Sequence, residues 1–124
     1  MMELDKIYNM DCLDGMRQME AESVDLTVTS PPYDNLRTYN GYCFDIENIA
    51  RELYRVTKQG GVVVWVVGDA TIDGDETCTS FKQALFFRDC GFRLLDTMIY
   101  LKANYAPMYP SARRYANQFE YIFI

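Results

Sequence analysis

Thr29-Ser30-Pro31-Pro32-Tyr33 is the stretch of this 124-residue chain whose residue types and order could do chemistry. The two prolines lock their own φ angles and carry no N–H. Ser30, standing before Pro31, is pushed toward an extended conformation. The predicted result is a rigid turn that presents acceptors, the Ser30 oxygen and the backbone carbonyls, with the flat ring of Tyr33 beside them. Such a turn suits an exocyclic amino group on cytosine or adenine. That nitrogen is a poor nucleophile because its lone pair is delocalised into the ring. Two acceptors gripping its hydrogens would turn the lone pair toward an electrophile. An aromatic ring can stack on a base flipped out of a duplex, and a rigid turn supplies the preorganisation. A bare Pro-Pro more often does no more than end a strand. Here it follows directly on Val24-Asp25-Leu26-Thr27-Val28, and that placement favours the chemical reading.

The turn needs a scaffold, and the elements around it alternate as in a mostly parallel sheet with helices on its faces. Lys6 to Met10 reads as a short first strand, and Asp11 as the N-cap of a helix from Cys12 to about Met19. Val24 to Thr29 is the second strand, rich in β-branched residues. A polar loop runs from Pro31 to about Phe44. Asp45 caps a helix from Ile46 to Lys58, whose Ile46, Ile49, Ala50, Leu53 and Val56 follow helical spacing and face the sheet. Gly60 and Gly61 end it. Val62 to Val67 is apolar throughout, as in a central strand buried on both faces. An acidic loop from Asp69 to Thr79 precedes a helix capped by Thr79 or Ser80. That helix packs through Phe81, Ala84, Leu85 and Phe87 or Arg88, and Gly91 stops it. Thr97 to Leu101 and Phe119 to Ile124 are the last strands. Ligands of open α/β sheets bind outside the carboxyl ends of the strands. Asp11, the run Ser30 to Tyr33, and Asp69 all fall there, although a loop carboxylate such as Asp69 is more often simply solvated.

Composition narrows the classes. One small domain fits the length. A hydrophobic fraction of 49 % with ten Tyr and seven Phe can build a core, which disordered chains cannot. The longest purely apolar run, Val62 to Val67, is far short of the roughly 20 residues a membrane span needs. The acidic N-terminus carries no signal-like apolar stretch, so a cytoplasmic protein with reduced thiols is expected. Cys12, Cys43, Cys78 and Cys90 form no CxxC pair and His is absent, which argues against a zinc site and hence against zinc-dependent base deamination. A net charge of −6 argues against a free-standing nucleic-acid binder. The stretch between Asp96 and Glu120 is free of acids, however. It carries Lys102, Arg113 and Arg114 among Tyr105, Tyr109 and Tyr115, and could face a phosphate backbone.

Asp11-Cys12-Leu13, then Ser23-Val24-Asp25-Leu26 running into Thr29-Ser30-Pro31-Pro32-Tyr33, resembles the opening of the amino-methylating DNA methyltransferases, whose catalytic motif is [DNS]-P-P-[YFW]. Ser in first place is similar to the cytosine-N4 enzymes, and some adenine-N6 enzymes share it. The resemblance continues through Ala50 to Gly61 (Ala-Arg-Glu-Leu-Tyr-Arg-Val-Thr-Lys-Gln-Gly-Gly) and through Phe119-Glu120-Tyr121-Ile122. It implies a Rossmann-like sheet, S-adenosylmethionine as cofactor, double-stranded DNA as substrate and a place in restriction-modification. Carried over, Ser30 and the Pro31 carbonyl hold the target amino group, Pro32 shapes the loop and Tyr33 stacks on the base. Asp11, with Cys12 beside it, lies near the adenosine end of the cofactor, and Asp69 near the catalytic loop. The Pro-Cys nucleophile of carbon-5 cytosine methylation is absent.

One departure is large. The family's glycine-rich Phe-x-Gly-x-Gly cofactor loop is not in this chain, and in the subclass with an early proline motif it lies beyond a DNA-recognition region. Residues 1–124 are therefore expected to be a partial catalytic domain, lacking the glycine-loop strand and its neighbour, with the chain ending inside a sheet. The Val24 to Thr29 strand should then have a bare edge that recruits a completing chain or a second copy. A catalytically inactive or partner-dependent subunit, and a methyltransferase acting on RNA or protein glutamine, are the competing readings. The latter relatives usually carry Asn in place of Ser30.

Overall fold

The computed structural model describes residues 2–32, 44–103 and 118–124. In chain order the elements are α1 (Cys12–Arg17), β1 (Val24–Thr29), α2 (Ile46–Val56), β2 (Thr57–Val67), β3 (Thr71–Ile72), β4 (Asp75–Glu76), α3 (Thr79–Cys90), β5 (Thr97–Leu101) and β6 (Phe119–Phe123). The main sheet has the order β1-β2-β6-β5. β1 and β2 are parallel, and β6 runs antiparallel to both β2 and β5.

The first two helices start at the carboxylates read from the sequence. Asp11 accepts the Leu13 N–H at 2.9 Å and Asp45 the Asn48 N–H at 3.2 Å, each satisfying an orphan donor of the first turn. Hydrogen bonds from the Asn48 side chain and backbone hold the Asp45 carboxyl below its usual range. α1 is shorter than expected. The N–H groups of Gln18 and Met19 reach back only three residues, to Gly15 and Met16, which tightens and ends the helix.

The junction of α2 and β2 corrects the expected boundary. Thr57 is already extended, with its hydroxyl on the Leu53 carbonyl at 2.6 Å, so the helix ends at Val56 rather than at the glycines. Gly60 and Gly61 lie inside β2, where the register jumps from Val24↔Thr57 to Leu26↔Val62. Extra residues on β2 are thrown out as a bulge, and Gly60 takes the left-handed conformation there, at φ +80°. Gly61 lies against β1, and a Cβ on it would stand 3.1 Å from the Asp25 carbonyl and 2.8 Å from Thr57 Cγ2.

Two further expectations change. Residues 6–10 form no strand, and Ile7 is fully exposed. An extended run becomes a strand only when another strand takes up its N–H and C=O groups, and none of the described residues does so for this one. The acidic loop contains the β3–β4 hairpin, turned by Asp73 and Gly74 at φ 52° and 80°. Asp-Gly with both residues at positive φ is the chemistry of a type I′ turn.

The core joins Met16 of α1, Ile49, Ala50, Leu53 and Val56 of α2, Trp65 and Val67 of β2, Phe87 of α3 and Phe123 of β6. The helical spacing of α2 predicts its buried face. That of α3 does not. Phe87 is buried, but Phe81, Leu85 and Arg88 are exposed, and Ser80 and Gln83 occupy the inner face instead. Gln83 belongs there because its Oε1 accepts the buried Trp65 indole N–H at 2.8 Å.

The three helices neighbour one another, α1 with α2 and α2 with α3, in a single layer. The α/β, Rossmann-like class stands, but the helices expected on the second face are not among the described residues. On that face Leu26 and Val28 are 58 % and 64 % exposed. β1 has no second neighbour among the described strands, so its outer edge is bare there. Gly61→Ala is expected to destabilise the fold by about 1–3 kcal/mol through overpacking of the β1–β2 seam. Urea unfolding of the variant checks this, and an unchanged midpoint would show that the bulge relaxes around the methyl group.

Candidate active site

Thr29, the last residue of β1, pairs with Trp65 of β2, and the next residue, Ser30, leaves the sheet. Ser30 is exposed, Pro31 buried and Pro32 half-buried, and neither proline lies within a strand or helix. Tyr33 lies outside the described residues, as do Cys43, Tyr105, Tyr109, Arg113, Arg114 and Tyr115.

Asp69 stands just past the end of β2, so it shares the carboxyl edge with Ser30. Its role there is definite. Oδ1 accepts the Ser80 N–H at 2.7 Å and Oδ2 accepts the Ser80 hydroxyl at 2.5 Å. The residue at the N-cap of α3 is Cys78, held at φ 56° with no side-chain cap bond of its own. The expected capping by Thr79 or Ser80 is therefore replaced. Asp69 reaches across the hairpin to supply the acceptor, and the fully buried Ser80 is a donor to it. A carboxylate is favoured at that position by the orphan N–H groups and by the helix dipole.

A cavity of about 380 Å³ opens beneath the turn. Ser30, Pro31 and Pro32 line it together with Cys12 from the first turn of α1, and Thr27, Thr29, Phe44 and Trp65 form part of its walls. The fold thus brings Ser30, Pro31, Pro32 and Cys12 to one space. Asp11 flanks this cavity without lining it, and Asp69 does not line it either.

The family model described as DNA methylase, of the N6 and N4 methyltransferases, matches residues 24–124. The chain belongs to the amino-methylating DNA methyltransferases. The orphan methyltransferase M.BamHII of Bacillus amyloliquefaciens is 62 % identical, over 82 % of this chain and 38 % of its own length. The type II methyltransferase M.MthZI of Methanothermobacter thermautotrophicus is 28 % identical, over 96 % of this chain and 43 % of its own. Among solved structures, TTHA0409 of Thermus thermophilus, a proposed DNA modification methylase in complex with S-adenosyl-L-methionine, superposes with a TM-score of 0.66. It is 28 % identical, over 91 % of this chain and 51 % of that one. The cytosine-N4-specific PvuII DNA methyltransferase shares the fold, with a TM-score of 0.73 at 19 % identity over 94 % of this chain and 46 % of that one. The chain therefore spans between about two fifths and one half of the length of these relatives.

One residue of this methyltransferase chain escapes a reading by motif. Arg55, in the last turn of α2, donates from Nη2 to the Met16 carbonyl at 2.7 Å and from Nη1 to the Met19 carbonyl at 3.0 Å, at the C-terminal end of α1. Its Nε and Nη2 also grip Glu52, at 3.0 and 2.7 Å. The Arg55 hydrogen bond holds the Glu52 carboxyl below its usual range, and the same bond raises the guanidinium in turn. Only the i,i+3 spacing of Glu52 and Arg55 is legible in the sequence. The carbonyls they reach are set by the tertiary fold.

Two outcomes follow from these contacts. Asp69→Asn puts an amide where two donors must be accepted, and should destabilise the fold by about 1–3 kcal/mol in thermal or urea unfolding. Loss of stability no larger than that of an exposed Asp→Asn change would detach Asp69 from α3. The lowered Glu52 carboxyl stabilises the fold above the unfolded value of 4.5, and that contribution is lost as pH falls through the folded value. Glu52→Gln should therefore flatten the acid limb of the stability profile below about pH 4.5. Superimposable limbs for the two proteins would refute the assignment.

Proposed function

We propose that this chain carries the catalytic turn and the adenosine-side contacts of a methyltransferase that modifies an exocyclic amino group in double-stranded DNA, cytosine N4 ahead of adenine N6. The observation that carries the reading is the place of Ser30-Pro31-Pro32, directly after the carboxyl end of β1 and lining a cavity that Cys12 also lines. Ser in first place favours N4. The names of M.BamHII and M.MthZI as methyltransferases support the reaction class.

S-adenosylmethionine supplies the electrophilic methyl group when bound. The residues present fit one end of it. Asp11 uses Oδ1 to cap α1, which leaves Oδ2 to accept from an adenosine hydroxyl or amino group, with Cys12 beside it. The largely apolar cavity wall suits a heteroaromatic ring. The Ser30 oxygen and the Pro31 carbonyl accept the two hydrogens of the target amino group and turn its lone pair out of conjugation. Pro32 fixes the carbonyl direction, and Tyr33 stacks on the flipped base. Asp69 serves the same edge by fixing the start of α3 just past the end of β2.

A second reading rests on the bare edge of β1 and the exposed Leu26 and Val28: the chain acts with a completing polypeptide, or pairs with a second copy through that edge. The test is radiolabelled methyl transfer to duplex DNA by this chain alone and with the unmatched part of M.BamHII added as a separate polypeptide. The expected product is N4-methylcytosine, formed only in the completed mixture. There, Ser30→Ala should slow transfer by about 10²–10³-fold while leaving DNA retention intact. Equal rates for wild type and Ser30→Ala would remove Ser30 from the mechanism, and N6-methyladenine in the digest would reverse the base preference.

A further inference from the structure

α1 holds the cofactor-side residues Asp11 and Cys12 at one end and is only six residues long, too short to be a stable helix by itself. Its placement has to come from outside. Met16 is buried in the core and Leu13 and Met19 pack against it, but apolar packing is not directional and does not by itself fix the helix axis. The other end supplies what is needed. The C-terminal carbonyls of Met16 and Met19 are both taken by the Arg55 guanidinium, a cation at the negative end of the helix. The backbone at the same place adds two more ties, Glu22 N–H to the Arg55 carbonyl at 2.9 Å and Ser23 N–H to the Val56 carbonyl at 2.8 Å. β1 starts at the next residue and runs to Thr29, immediately before Ser30. One arginine thus sits where α1, the start of β1 and the end of α2 meet.

We propose that Arg55 is a positioning residue for the cofactor half of the site: it sets the direction of α1, and so the place of Asp11 and Cys12 relative to Ser30. The inference rests on the assignment of Asp11 and Cys12 to the adenosine end of S-adenosylmethionine. Glu52 is part of the device, because its carboxylate fixes the plane of the guanidinium so that both carbonyls are met. Lysine could not replace it. The three donors of a lysine ammonium radiate from one nitrogen on a flexible stem, so they cannot span the carboxylate and two carbonyls in the fixed directions that the planar guanidinium supplies. Arg55 does not itself line the cavity, but the two carbonyls it holds belong to Met16 and Met19, which do.

The experiment compares wild type, Arg55→Lys, Asp11→Ala and the double variant in the full chain. It reads hydrogen exchange of residues 11–19 by mass spectrometry, the melting temperature, and S-adenosylmethionine binding by calorimetric titration, with and without the unmatched part of M.BamHII. Arg55→Lys is expected to speed exchange of residues 11–19 by about tenfold while leaving exchange in β2 and α3 unchanged. It should also weaken cofactor binding by about tenfold, and that loss should vanish in the Asp11→Ala background, since Arg55 acts through α1. Uniformly faster exchange across the chain, or a binding loss that persists undiminished in the Asp11→Ala background, would overturn the proposal and leave Arg55 an ordinary stabilising residue. If wild type binds no S-adenosylmethionine in either mixture, the functional reading fails. The exchange data still decide whether Arg55 alone sets α1.

Discussion

The parallel pairing of β1 with β2 is the constraint on which the rest depends. Parallel strands end at the same edge, so whatever follows β1 and β2 is delivered to one side of the sheet. Ser30 follows β1, and Asp69 follows β2. The pairing also explains the bulge. Val24 meets Thr57, but from Leu26 onward the partners begin at Val62, so the excess length of β2 has to be discarded before the site-bearing halves of the strands run in register. Gly60 accommodates that excess at positive φ, and Gly61 lets the backbone of β1 pass close by. The two glycines lie at the opposite end of the strands from the chemistry, yet they set the register on which it depends.

What was legible from the sequence was local. Asp11 and Asp45 sit immediately before runs with helical spacing and cap them through their own side chains, an interaction closed within three residues. The inner face of α2, the limits of β1 and the positions of the last two strands were likewise readable, because each is a short run of one pattern. The end of β1 before Ser30 was readable because proline constrains backbone without help from neighbours. The illegible parts all depend on partners distant in sequence. Gln83 is buried because Trp65 needs an acceptor 18 residues away. Asp69 caps a helix from 11 residues upstream. Arg55 reaches 36 and 39 residues back to carbonyls that carry no side-chain signature at all. The double glycine was misassigned for another reason: a helix stop and a strand bulge ask for the same residue, and Thr57, β-branched and already bonded back to Leu53, decides between them.

The site is built from rigid pieces with little chemistry in any one of them. Serine, proline and a capping carboxylate are weak catalytic groups in isolation. In the proposed mechanism their value lies in fixed directions: acceptors aimed by a proline-constrained backbone, beside a cavity whose walls belong to the core. The same economy appears on the other side of the cavity, where α1 has too few residues to define its own axis and takes it from Arg55.

The charge of the chain takes on a different meaning at this edge. A net charge of −6 argues against approach to a phosphate backbone. Yet Asp11, Asp45 and Asp69 are all engaged at helix N-termini, those of α1, α2 and α3. α1 leads into β1, α2 returns from it, and α3 leaves β2, so all three N-termini open toward the carboxyl edge of the sheet. Each carries the positive end of a helix dipole, worth up to about half an elementary charge. These carboxylates are therefore partly offset where they stand, and the formal charge overstates the repulsion that this edge would present to a nucleic acid. The distribution of charge over the fold, more than its sum, governs whether DNA can approach Ser30.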